Sequence, residues 1–69
     1  MHPYAGLAEK IVVTLKRLGK RMREESVEIG LVAHIVRANY ADVDHYLEIL
    51  EERGVVEKID GTHVRLKPI

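Results

Sequence analysis

The 69-residue chain has no cysteine, tryptophan, phenylalanine or glutamine, one asparagine (Asn39) and one serine (Ser26). Without cysteine there is no disulfide framework and no thiolate metal site, so a core this small has no covalent staple to support it. No apolar run approaches the roughly 20 residues that a membrane-spanning helix needs. Met1-His2-Pro3-Tyr4 leads straight into an amphipathic stretch and shows none of the zones of a secretory signal, so a cytoplasmic protein is expected. Few heat-labile residues alongside abundant Glu, Lys, Arg, Val and Ile is the composition expected of a thermophilic source. Ser26 lies in no nucleophile motif and reads as a cap. No glycine-rich phosphate loop is present, and His34, His45 and His63 lack metal-ligand spacing. No enzymatic activity, cofactor or metal is expected, and the chain reads as a binding protein.

Hydrophobic periodicity organises a single domain spanning 1–69. Leu7, Ile11, Leu15, Leu18 and Met22 recur in steps of four and three, with Val12 widening the stripe, which predicts a helix over about 5–22. Gly19 is a weak point in it. Arg23-Glu24-Glu25-Ser26 breaks the pattern, and Val27 can bridge to a later strand. A short second helix over 28–36 buries Ile29, Val32, Ile35 and Val36, and Arg37-Ala38-Asn39 forms a turn. Asn39 is placed to cap a third helix over 40–53, with Asp42 where an acid suits the helix dipole and Gly54 as a left-handed stop. The inner face of this helix is Val43, Tyr46, Leu47 and Leu50. Asp60-Gly61 between two β-prone runs predicts a hairpin over 55–67.

Helix, short helix, tight turn, helix and hairpin is the order of the winged helix-turn-helix superfamily. Residues 43–67, VDHYLEILEERGVVEKIDGTHVRLK, place Val43, Leu47, Leu50, Gly54, Val55 and Val56 where its pattern has apolar residues and glycine. The chain resembles that superfamily, and most of all the small regulators and interaction modules common in archaea. The fold class expected is therefore α+β, mainly α, with a C-terminal hairpin wing. The resemblance implies that the third helix enters the major groove while the wing touches phosphate or the minor groove.

The charges bear on that implication in opposite ways. The net charge is zero, yet residues 1–23 carry +5, residues 24–52 carry −7 and residues 53–69 carry +2. Across an Asp60-Gly61 turn, Lys58 is expected opposite His63, with Arg65 and Lys67 on the same cationic face and Ile59, Val64 and Leu66 toward the core. The plain alternative is a solvated edge protected by lysine. The outward positions of the third helix are Ala41, Asp44, His45, Glu48 and Glu52. Three of these are acids, where duplex readers carry groups that bond bases and phosphates. The helix dipole accounts for Asp42 and Asp44 but not for Glu48, Glu51 and Glu52.

Two functions follow as expectations. The first is transcription-related binding of duplex DNA through Lys58, His63, Arg65 and Lys67 of the wing, Ala41, His45 and Glu48 of the third helix, and Arg37. The second is a protein-interaction module in which Asp44, Glu48 and Glu52 dock a basic partner or the basic first helix of a second copy. A homodimer is expected, with Tyr4, Leu7, Lys16 and Arg17 at its contact.

Overall fold

In a computed structural model, the backbone of residues 3–22 and 26–67 and the side chains of 6–18 and 26–67 are described. The order is α1 (Pro3–Met22), β1 (Val27–Glu28), α2 (Ile29–Val36), α3 (Tyr40–Glu52), β2 (Val56–Ile59) and β3 (His63–Leu66). This is the three-helix α+β architecture with a C-terminal hairpin. The side chains of Tyr4, Arg21 and Met22, and the whole of Arg23–Glu25 and Pro68, lie outside the described residues.

The core is one cluster. Ile11, Leu15 and Leu18 of α1 meet Ile29, Val32 and Ala33 of α2 and Val43, Leu47 and Leu50 of α3. Val27, Val56 and Val64 close it from the sheet, and Leu7, Val12 and Tyr46 pack at its margin. These are the steps of three and four that put residues on one side of a helix. The helix α1 runs through Gly19 without a break. Asn39 caps α3: its side-chain oxygen accepts from the Asp42 amide at 2.9 Å, and Gly54, at φ 77°, follows the helix end.

The sheet order is β1-β3-β2, all antiparallel, so β3 is the central strand. Val27 bridges to Val64 as expected, and Glu28 pairs with His63. The α2 N-cap, Glu28, makes no side-chain cap. Instead the Ile29 amide donates to the Thr62 carbonyl at 2.9 Å, so the hairpin loop supplies an acceptor for the helix start.

Two sequence expectations need correction. The hairpin register is Val56↔Leu66, Glu57↔Arg65, Lys58↔Val64 and Ile59↔His63. The loop is thus Asp60-Gly61-Thr62 rather than Asp60-Gly61 alone, with positive φ at its first two residues. A one-residue slip turns every side chain of one strand over. Val64 and Leu66 still face the core, but in β2 it is Val56 and Lys58 that share their side, and Ile59 lies opposite His63 on the other. The second correction is in α2. Ala33 is buried, and Ile35 stands 44 % exposed.

Candidate functional site

The slip in β2 decides what the hairpin cations do. Lys58 does not join an outward basic face. It lies on the helix side of the sheet, its side chain only 17 % exposed, with Nζ 2.7 Å from Asp44 Oδ1 and 4.0 Å from Glu48 Oε1. Its backbone amide donates to Glu51 Oε2 at 3.1 Å. Lys58 lies opposite Val64 in a register where that amide points away from β3. Glu51 therefore satisfies a donor on the outer edge of the sheet, which would otherwise be open to pairing with another chain. Two acids of α3, Asp44 and Glu51, are thus engaged by one residue of β2, with Glu48 at the edge of reach. The cationic counterpart that an acidic column requires is present within the same chain, so the column gives no reason to invoke a second copy.

The remaining wing residues are also accounted for. Arg65 Nε donates to Glu57 Oε1 at 2.9 Å and its Nη2 lies 2.8 Å from the same oxygen. Glu57 and Arg65 are cross-strand neighbours on the outer side, where opposite charges attract. His63 is half-buried, its Nδ1 hydrogen-bonded to the Thr62 hydroxyl at 2.9 Å. Lys67 is exposed just beyond β3. The register therefore brings Arg65 and His63 to one side, sends Lys58 to the other, and places a carboxylate beside Lys58 and beside Arg65.

On α3, Ala41, Asp42, His45, Glu48 and Glu52 are exposed, Asp44 is half-buried beneath Lys58, and the His45 ring leans on Tyr46 with centroids 5.6 Å apart. Arg37, at the turn before α3, is exposed and left-handed, with φ 58° and ψ 43°. Of the expected dimer contacts, Lys16 and Arg17 are exposed, whereas Leu7 packs against the chain's own core.

The Lys58 ammonium holds its proton above the ordinary lysine value of 10.5. The largest cause is the hydrogen bond to Asp44; burial opposes it, and the charges of Asp44, Glu48 and Glu51 reinforce it. A cation whose folded pKa is raised contributes stability in full below its unfolded value, and that contribution is lost as pH rises through the folded value. The urea midpoint of the chain minus that of Lys58→Met should therefore stay constant from about pH 7 to 9 and shrink only above about pH 10.5. A difference that already declines with pH below about 9 would contradict the assignment.

Among the described residues no cluster of three His, Asp or Glu could hold a metal ion, and no helix is long and apolar enough to cross a membrane. Comparison with models of known families, with curated proteins and with solved structures yields no match.

Proposed function

We propose that this chain is a winged-helix protein-interaction module, in which the acidic outer face of α3 receives a basic segment of a partner protein. The observation that supports this reading is the internal use of the hairpin cations. Lys58 is held by Asp44 and Glu48, and Arg65 by Glu57. Two wing cations that already have carboxylate partners gain less from a phosphate, because each such contact must first displace one inside the chain. Beside the carboxylates that face Lys58, α3 presents Asp42 and Glu52 to solvent, and Glu48, 4.0 Å from the Lys58 ammonium, keeps 62 % of its side chain exposed. That potential repels a duplex and draws a cationic segment.

The test is an NMR titration at low salt with an Arg/Lys-rich peptide and, separately, with a mixed-sequence duplex. The peptide should move the amide signals of Ala41, His45, Glu48 and Glu52. Combining Glu48→Gln with Glu52→Gln should weaken it roughly threefold to tenfold, by a margin that shrinks as salt is added. The duplex isotherm should be unaffected by the same pair. If the duplex instead moves those signals, and the glutamine pair tightens it for every sequence, α3 faces phosphate and the reading fails.

A second reading, transcription-related duplex binding, is favoured by the helix-turn-helix arrangement itself. The elements α2 and α3 are joined by a three-residue turn; Arg37 in that turn and Ala41 and His45 in the first turns of α3 are exposed, as is Lys67 beyond β3. Under that reading log K falls with log salt by about 0.9 per neutralised phosphate, and Lys67→Ala lowers the slope by about one unit. A flat salt dependence removes it.

A further inference from the structure

We propose that the groove between α1 and the C-terminal end of α2 is a second docking site, and that it takes an acidic amphipathic helix of a protein partner. This surface lies apart from the acidic face of α3, and the opposite partner charge makes the two separable.

The groove encloses about 570 Å³. Its floor is apolar: Val13 and Ile35, 42 % and 44 % exposed, are among the few large hydrophobic side chains the fold leaves outside, and Val36 adjoins them. Leu31, one turn before Ile35 on α2, is also exposed and continues the strip. The rim is basic. Among the described residues, Lys10, Arg17 and Arg37 line it against one acid, Glu9, and none of the three cations forms an ion pair. Contacts of this kind suit a helix that lays apolar residues at i, i+3, i+4 and i+7 along the floor and carboxylates along the edges.

The backbone at Arg37 points the same way. A left-handed position at a helix C-terminus is where glycine or asparagine sits at least cost. Here an arginine takes it, and its exposed side chain is among those that line the groove. Gly6, within α1, also lines the groove, and a Cβ added there would meet nothing within 4 Å. A helical glycine with open space above it leaves room for a partner backbone to come close.

A second copy of this chain fits the groove poorly. Two α1 surfaces facing each other would bring Lys10 and Arg17 against their own equivalents. The α3 of another copy has the required acids, but its outer residues Ala41, His45, Glu48 and Glu52 offer little apolar surface to cover Val13 and Ile35.

The experiment titrates the chain with a 15-residue helical peptide carrying Leu at i, i+3, i+4 and i+7 and Glu elsewhere, and with its twin in which every Glu is Lys. The acidic peptide should move the signals of Val13, Thr14, Ile35 and Arg37, and the lysine twin should leave them in place. Arg37→Gly should weaken the acidic peptide roughly threefold to fivefold while the melting temperature stays level or rises, because glycine relieves the left-handed position. Ile35→Ser, at an exposed position, should weaken it by a similar factor without unfolding the chain. Equal movement of the groove signals by the two peptides, movement of α3 signals instead of groove signals by the acidic peptide, or its displacement by duplex DNA would overturn the proposal. So would a wild-type dimer in sedimentation whose contact maps to Val13 and Ile35. The basic-peptide titration on Glu48 and Glu52 stands or falls separately.

Discussion

Replacing Val32 with aspartate should leave no cooperatively folded population at neutral pH. Val32 is fully buried in α2, among the side chains that α1 and α3 bring to the core. A carboxylate there gains no water and leaves its charge unpaired, a cost of several kcal/mol. A domain of 69 residues has roughly 3–10 kcal/mol of total stability, at about 0.05–0.15 kcal/mol per residue. The penalty is therefore comparable to the whole. Burial raises the pKa of such a carboxyl, so the penalty applies fully at neutral pH and is relieved as pH falls through the raised value. The variant should thus recover some helical signal on mild acidification. Val32→Thr keeps the shape and adds only a hydroxyl, costing about 1–3 kcal/mol. Circular dichroism melts of the three proteins check this. An aspartate variant melting within a few degrees of the parent at neutral pH would mean that Val32 is not enclosed.

The second large effect belongs to Leu47→Ala. Leu47 is fully buried in the middle of α3, between Val43 and Leu50 on the same face. Truncation removes its apolar area and leaves a void that the surrounding helices fill only in part. Together these cost about 2–5 kcal/mol, far more than the few tenths that alanine returns in helix propensity. Ile49, half-buried on the same helix, should lose clearly less on the same change. Urea denaturation with a fixed m-value reads both. A loss below about 1 kcal/mol at Leu47 would mean that α3 is not seated on the core as described.

The signals that made α3 readable are local. Asn39 accepts from the Asp42 amide, Gly54 takes the left-handed position, and the apolar residues keep one period. The Asp60-Gly61 turn was readable for the same reason, since both residues adopt positive φ. What escaped was the third loop residue. Nothing in Asp-Gly-Thr says whether Thr62 belongs to the strand or to the loop. In the fold Thr62 is held in the loop by two bonds, its amide donating to the Ile59 carbonyl and its carbonyl accepting from the distant Ile29 amide. With Thr62 in the loop, the register puts Lys58 opposite Val64, on the helix side of the sheet. The groove escaped for a different reason. The α2 sequence IGLVAHIV is apolar nearly all round, so its period cannot tell which residues are inside. In the fold Ile29, Val32 and Ala33 form the buried side of α2, and Ile35 lies outside it.

The strand order has a consequence for how this chain is made. Synthesis runs from the N-terminus, yet β3, which joins β1 to β2, is produced after both of them. Until it emerges, Val27 and Val56 have no strand between them and the start of α2 lacks its acceptor from the hairpin loop. Helices α1, α2 and α3 can gather on the ribosome, but the sheet closes only once residues 63–66 are free. A stalled chain ending before residue 63 should therefore be more open to proteolysis than its helix content suggests.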